Sequence, residues 1–231
     1  MKGSIFVKGF IFVVALAAVW IATGPGPARG DDDLNQRLVA AAANGNTSRV
    51  LDLLQKGADV NARGARGRTP VMAAAYGNHI ETVEALIGRG ADVNLRDNQL
   101  NNPFLYAGAE GLLDLLKLTV EAGADPKLTN RFGGTALIPA AERGHVEVLK
   151  YLLTRTNIDI NHVNNLGWTA LLETIVLSDG GPRHRESVAI LIQHGADVNI
   201  PDRSGHTPLY HAKARGFKEI QALLEAAGAR P

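Results

Sequence analysis

A short sequence recurs along this chain at nearly constant spacing. The pentapeptide Gly-Ala-Asp-Val-Asn occupies residues 57–61, 90–94 and 195–199, and diverged copies stand at 123–125 and 158–161. The aspartate of each copy lies at position 59, 92, 125, 159 or 197, so the successive steps are 33, 33, 34 and 38 residues. A period of this length predicts a solenoid of stacked units, each of which buries its apolar face only against its neighbours.

The second unit shows the local signals of two helices most clearly. Thr69 precedes Pro70, an order in which the threonine caps a helix and the proline takes the first helical position, where its missing N–H costs nothing. Val83 and Leu86 contribute to the apolar stripe of a second helix. Gly90 then ends that helix in the left-handed conformation. Each unit is therefore expected to form two helices preceded by a turn.

These motifs resemble the ankyrin-repeat family. The resemblance is carried by the Gly-Arg-Thr-Pro-Val-Met-Ala-Ala-Ala segment at 67–75 and by the Gly-Ala-Asp loops, and it covers nearly all of residues 32–230. It implies an all-α repeat solenoid, an ankyrin array of about six helix-turn-helix units with β-turn fingers. The unit boundaries are predicted at 32–63 (the N-terminal cap), 64–96, 97–129, 130–163, 164–200 and 201–231 (the C-terminal cap).

Two departures from the repeat mark the middle of the array. Residues 178–183 stand where one glycine normally joins the two helices of a unit, which accounts for the step of 38. Pro139 falls inside a first helix, where proline removes a hydrogen bond and crowds the preceding turn, so we expect that helix to begin with a distorted turn. With these departures the chain resembles an uncharacterised ankyrin-repeat group of enteric bacteria, a resemblance that implies no known activity.

The first thirty residues form a separate segment. Lys2 and Lys8 precede an apolar run at 9–23, and a glycine- and proline-rich stretch of small residues follows. This order is typical of a secretory signal peptide, here cleaved before Asp31. The alternative is an uncleaved membrane anchor, because about twenty apolar residues span a bilayer. In both cases the repeat domain, residues 31–231, is expected in a bacterial periplasm.

Composition narrows the classes of function. The chain carries 24 Lys and Arg against 23 Asp and Glu, and without its first thirty residues the net charge falls from +1 to −2. Nonspecific binding to nucleic acid is therefore not expected. The lack of cysteine excludes disulfides, thiolate metal sites and a cysteine nucleophile. We expect a monomer that meets the membrane only if the N-terminal segment is uncleaved.

Candidate partner-binding residues lie on the fingers, which in ankyrin arrays line a concave face together with the first helices. Phe132, Leu166 and Trp168 are apolar at positions that are normally solvated, and Trp and Arg are enriched at interface hot spots. The alternative is that each residue only covers the finger of the adjacent unit. The predicted partner-binding set is Arg131, Phe132, Leu166, Trp168, Arg203 and His206.

A second set lies on the first helices, where Tyr106, Glu173 and His211 occupy one position in different units. A polar ligand pocket is one interpretation of this row. The other, which we favour, is a hydrogen bond between Glu173 and His211 that only fastens the stack. The candidate pocket residues are Tyr106, Glu142, Glu173, Asp179 and His211.

The sequence offers no convincing catalytic or metal motif. No two histidines have helical i, i+4 metal spacing, and a carboxylate–histidine set would have to be assembled across repeats. A nucleophile elbow and a phosphate-binding loop are also missing. We therefore expect no metal, no cofactor and no enzymatic activity. The leading hypothesis is a non-catalytic protein-interaction scaffold, and the alternative is a small-molecule pocket, conceivably catalytic, near residues 178–183.

Overall fold

The computed structural model of the chain describes residues 29–230, with side chains from residue 32 onward. Within that range the structure is all-helical. None of its helices is long and apolar enough to cross a membrane. The predicted signal peptide or anchor lies outside the described residues, apart from residues 29 and 30, which begin the first helix.

Among residues 29–230, helices follow one another as six antiparallel pairs. A short 3-10 turn at Ala65–Gly67 lies in the finger between the first two pairs. The pairs are α1 (Arg29–Ala43) with α2 (Thr47–Gln55), α3 (Pro70–Tyr76) with α4 (Ile80–Ile87), α5 (Pro103–Glu110) with α6 (Leu113–Glu121), α7 (Leu137–Glu142) with α8 (Val146–Arg155), α9 (Ala170–Val176) with α10 (Pro182–Gln193), and α11 (Pro208–Ala214) with α12 (Lys218–Ala226).

Side-chain caps explain where most of the first helices begin. Thr69, Asn102, Thr169 and Thr207 each accept a hydrogen bond from the backbone N–H three residues later. Such a bond satisfies one of the N–H groups that a helix start leaves free. The capped starts occur at equivalent positions in four of the six units described and so place their fingers in register along the array.

The stack is held together by two rows of helices. The first helices pack on one another in order, and the second helices do the same behind them. Small residues allow the close approach of the first row: Ala74 is fully buried in α3, and a Cβ built on Gly108 of α5 would lie 2.8 Å from the Cβ of Ala136. Larger side chains such as Phe104 and Leu149 fill the space between the rows and are fully buried.

Consecutive fingers are joined through their backbones. The N–H of Asn98 donates to the carbonyl of Arg66 at 3.0 Å, and the N–H of Asn165 donates to the carbonyl of Phe132 at 2.9 Å. Each finger is closed by its own polar residue, because Asn130 Oδ1 accepts hydrogen bonds from the N–H groups of Phe132 and Gly134. The side chains at Asp97, Asn164 and Asp202 do the same in their own units.

The two departures from the repeat have simple local consequences. Pro139 has no N–H to donate to the carbonyl four residues earlier, so α7 lacks its first backbone hydrogen bond. The helix therefore begins at Leu137, whereas the position equivalent to the start of α3 is residue 136. In the insertion, residues 178–181 form a loop, whereas Pro182 and Arg183 belong to α10. That helix spans 12 residues, compared with 8 in α4, so the insertion lengthens a helix as well as a loop.

Candidate functional site

A groove with a volume of about 580 Å³ runs between the fingers and the first helices of the second to fifth units. It presents arginines, aromatic rings, carboxylates and aliphatic side chains on one continuous surface. Its chemically distinctive lining residues are Arg66, Arg68, Arg131, Arg143, Tyr76, Tyr106, Phe132, Glu110, Glu142, Glu173, Ile138, Leu166 and Leu177.

The groove joins the two sets of candidate residues that the sequence analysis kept separate. Arg131, Phe132 and Leu166 reach it from the fingers. Tyr106, Glu142 and Glu173 reach it from the first helices. A single surface therefore combines three of the six predicted partner-binding residues with three of the five predicted pocket residues.

The finger side of the groove carries exposed apolar side chains. Phe132 is 54% exposed and Leu166 is 52% exposed. The guanidinium of Arg131 lies 4.7 Å from the centroid of the Phe132 ring, and its Nη1 donates to Gln99 Oε1 at 3.1 Å. Arg131 and Phe132 thus form a cation–π pair at the surface, where large apolar side chains with this much exposure are available to a partner.

Half-buried Arg68 and Tyr76 line one end of the groove and contact the buried Asp97 behind them. The Arg68 guanidinium lies 3.9 Å from the centroid of the Tyr76 ring, and the Tyr76 hydroxyl donates to Asp97 Oδ2 at 2.9 Å. Burial raises the pKa of Tyr76 above its usual value, so the hydroxyl remains a donor. Tyr106 meets Tyr76 edge to face, with ring centroids 4.6 Å apart. The cluster is rigid because each member contacts another.

Arg68 keeps an unused donor within this cluster. Its Nε is buried without a hydrogen-bond acceptor, and the nearest charged oxygen, Asp97 Oδ2, is 3.9 Å away. Buried polar groups are nearly always paired, so this donor is an exception within the fold. No feature of the amino-acid sequence indicates that Arg68 and Tyr76 meet.

Glu173 supplies a buried acid on the helix side of the groove. It is 6% exposed, and its Oε1 accepts a hydrogen bond from Asn164 Nδ2 at 2.6 Å. Burial raises the pKa of Glu173 most, the nearby Glu142 carboxylate raises it as well, and the hydrogen bond from Asn164 lowers it. The net result is a pKa of about 7. The side chain therefore titrates near neutral pH.

The favoured hydrogen bond between Glu173 and His211 is not formed. Glu173 bonds to Asn164 at 2.6 Å, and His211 Nε2 lies 2.8 Å from Asp202 Oδ2. In the fifth and sixth units this position of the first helix therefore pairs with the finger of its own unit. Asp179 is exposed and pairs with His184 at 3.0 Å, so neither Asp179 nor His211 lines the groove.

The remaining predicted partner-binding residues also lie outside the groove lining. Trp168 is half-buried beside the fifth finger. Arg203 donates to the carbonyl of Asn165, which is the contact with an adjacent finger that the sequence analysis gave as the alternative. His206 stacks on Tyr210, with ring centroids 4.0 Å apart and planes inclined by 6°.

One set of possible metal ligands escaped the sequence analysis. Asp202, His206 and His211 bring their ligand atoms within 4.8 Å of one another inside the sixth unit. We had expected such a set only across repeats. The three residues are separated by four and five positions, and the first two lie in a finger whereas the third lies in a helix. The regular ligand spacing of a metal site on one helix is therefore missing from the sequence.

Comparison with known proteins gives a consistent result. A family model described as ankyrin repeats (3 copies) matches residues 38–130 and 104–202. The chain is 51% identical over 98 residues to the ankyrin repeat protein YahD of Escherichia coli (strain K12), a match that covers 42% of this chain and 49% of YahD. It is 39% identical over 100 residues to cyclin-dependent kinase inhibitor 2A of Monodelphis domestica, covering 43% of this chain and 54% of the inhibitor. The matches thus span about half the length of these two relatives.

Solved structures extend the similarity over most of the chain. A crystal structure of an ankyrin repeat domain from Acinetobacter baumannii superposes with a TM-score of 0.81 and 49% identity, covering 84% of this chain and 98% of that domain. A second ankyrin repeat protein superposes with a TM-score of 0.79 and 38% identity, covering 83% of this chain and 97% of the other.

Proposed function

Because the chain belongs to the ankyrin-repeat family, whose members generally mediate protein–protein interaction and are generally not enzymes, we propose that it is a non-catalytic scaffold that binds a protein partner in its concave groove. The observation that carries this proposal is the 580 Å³ groove with half-exposed Phe132 and Leu166 on its finger side. Residues 1–30 favour export, so we place this interaction in the bacterial periplasm.

Apolar contact supplies the main gain in binding free energy. Complete burial of a side chain of this size is worth about 1.5–3 kcal/mol, and Phe132 and Leu166 each begin about half exposed. Phe132 lies beside the Arg131 guanidinium, so this side of the groove is not a wholly apolar patch. A protein segment that presents an apolar side chain flanked by polar groups matches this surface best.

Polar contacts give the segment its orientation. The half-buried Arg68 side chain lines one end of the groove, and its guanidinium group favours a backbone carbonyl or a carboxylate of the partner. Arg66 and Arg131 are exposed on neighbouring parts of the lining and favour the carboxylate. The partner is therefore expected to carry an acidic residue near its apolar anchor.

The test is affinity capture from a periplasmic extract with matched surface variants. The groove variant is the double substitution Phe132→Ser/Leu166→Ser. Its control is Val163→Ser, because Val163 is 45% exposed and does not line the groove. We expect the wild type and the control to retain the same protein, and the groove variant to retain at least tenfold less of it. Thermal melting should be nearly unchanged in all three, since the substitutions are at exposed positions.

The outcomes separate the two hypotheses. Equal capture by the groove variant and the control would show that the partner binds elsewhere. No captured protein, together with a metabolite that raises the melting temperature of the wild type but not of Glu173→Gln, would support the small-molecule alternative. That alternative draws on Tyr106, Glu142 and Glu173, which share the groove.

A further inference from the structure

The sixth unit gathers one carboxylate and two imidazoles at a single point. Asp202 and His206 lie in the finger, and His211 lies in α11. His211 Nε2 is 2.8 Å from Asp202 Oδ2, and His206 Nδ1 is 3.9 Å from the same oxygen. All three ligand atoms lie within 4.8 Å of one another.

The repeat itself creates this convergence. In the fifth unit, Asn164 and Glu173 occupy the positions that Asp202 and His211 occupy in the sixth, and they are hydrogen-bonded at 2.6 Å. The fold therefore brings the finger position and the first-helix position together in both units. What differs is the chemistry, because the sixth unit has metal-ligand side chains at both positions and adds His206 as a third.

The carboxylate is held in one orientation before any ion binds. Asp202 Oδ1 accepts hydrogen bonds from the N–H groups of Ser204 at 2.8 Å and His206 at 3.0 Å, which leaves Oδ2 facing the two rings. Such contacts from outside the ligand set fix the geometry of metal sites.

Access and ring orientation also suit a ligand set. The side chains of Asp202 and His211 are 11% and 18% exposed, whereas that of His206 is 42% exposed, so an ion can enter from the His206 side. Stacking on Tyr210 holds the His206 ring, and the His206 and His211 rings are nearly perpendicular, with centroids 5.7 Å apart. Two differently oriented rings can direct their nitrogens at a common point.

We propose that Asp202, His206 and His211 form a binding site for a divalent transition-metal ion, specifically Zn²⁺. Zinc accepts two imidazole nitrogens and one carboxylate oxygen and completes a tetrahedron with water. At zinc–ligand distances of about 2.0–2.2 Å, neighbouring ligand atoms lie roughly 3.3 Å apart. The 2.8 Å contact therefore opens slightly and the 3.9 Å contact closes by a similar amount. The two ring nitrogens, which lie within 4.8 Å of each other, also draw together, and rotation of the exposed His206 side chain allows this. Mg²⁺ and Ca²⁺ prefer all-oxygen ligands and do not fit this set.

The competing interpretation is a hydrogen bond between Asp202 and His211 that only fastens the finger to α11. The two interpretations differ in the role of His206, which the hydrogen bond does not require. A metal site needs both imidazoles, so His206→Ala and His211→Gln must each weaken zinc binding. The matched control is His184→Gln, because His184 also pairs with an aspartate at 3.0 Å but belongs to no three-ligand set among residues 32–230.

The experiment titrates the purified protein with Zn²⁺ alone by isothermal calorimetry, and repeats the titration with Mg²⁺. Visible absorption of bound Co²⁺ reports the coordination geometry. We expect one saturable Zn²⁺ site with the absorption of a tetrahedral Co²⁺ complex, and an affinity at least tenfold lower in His206→Ala and His211→Gln but unchanged in His184→Gln.

Three results would overturn the site. The first is the lack of saturable one-to-one zinc binding by the wild type. The second is undiminished binding by the His206→Ala/His211→Gln double variant, with its fold verified by circular dichroism. The third is equal binding of Mg²⁺ and Zn²⁺. None of these results bears on the groove, because the three residues lie outside its lining.

Discussion

Glu173 makes the stability of this protein depend on pH near neutrality. The pKa of its carboxyl group rises from 4.5 to about 7 in the folded chain, chiefly because the group is buried. At 1.36 kcal/mol per pKa unit, this difference corresponds to about 3 kcal/mol of folding free energy. Since small domains are stable by only about 5–15 kcal/mol, a contribution of this size is readily measured.

The direction in which stability changes with pH follows from the difference in proton binding between the folded and the unfolded chain. Between pH 4.5 and about 7 the folded chain keeps the proton on Glu173, whereas the unfolded chain has released it. The free energy of unfolding therefore falls as the pH rises through this window. Below pH 4.5 Glu173 is protonated in both the folded and the unfolded chain, so burying it does not destabilise the fold. Above about pH 7 Glu173 is ionised in both states, and the destabilisation reaches its full size.

Glu173→Gln isolates this effect, because glutamine keeps the shape of the side chain and can still accept the hydrogen bond from Asn164. We expect the variant to be more stable than the wild type by about 3 kcal/mol at pH 8, with the difference shrinking towards zero near pH 4.5. Urea denaturation at unit steps between pH 4.5 and 8 measures it. Glu81→Gln, in which an exposed carboxylate is removed, controls for the loss of one charge. A difference between Glu173→Gln and wild type that is constant across pH would refute the reasoning.

Two further substitutions test the packing of the first helices. Asn102→Thr keeps a side-chain cap on α5 and removes the buried Asn102 Nδ2, which has no hydrogen-bond partner. Urea denaturation should therefore show that the free energy of unfolding rises by about 1 kcal/mol. A fall would mean that the amide is hydrogen-bonded in solution. Gly108→Ala places a Cβ 2.8 Å from the Ala136 Cβ and 3.0 Å from its carbonyl oxygen, so we expect a loss of about 1–3 kcal/mol in spite of the better helix propensity of alanine. Gly88→Ala is its control, since no atom there lies closer than 3.4 Å and φ is −61°; equal effects at the two sites would contradict the packing argument.

The fold of residues 29–230 was largely predictable from the sequence. Thr69 followed by Pro70 predicts the cap and first turn of α3, and the structure confirms both. Gly90 has a φ of 85° after α4, as the left-handed helix end requires. These features depend on the backbone conformation of a few consecutive residues, which the identities of those residues determine directly.

The candidate site was predictable only in part. The fingers were expected to expose Phe132 and Leu166, and both are about half exposed in the groove. The pairing of Glu173 with His211 was wrong, because both side chains turn to the fingers of their own units. The position of a residue in the repeat shows whether it lies on a finger or on a first helix. Its side-chain rotamer decides whether it contacts the finger of its own unit or the helix of the next unit.

The amino-acid sequence by itself thus determined the number of units, the caps that start most of the first helices, and the residues that stand on the fingers. Only the tertiary structure decided that Arg68 lies over Tyr76 with a free donor, and that Asp202, His206 and His211 converge. The physical reason is the separation along the chain between the residues that interact. Caps and turns are settled within about four residues, whereas these contacts depend on how a finger folds back against a helix and on the spacing between packed units.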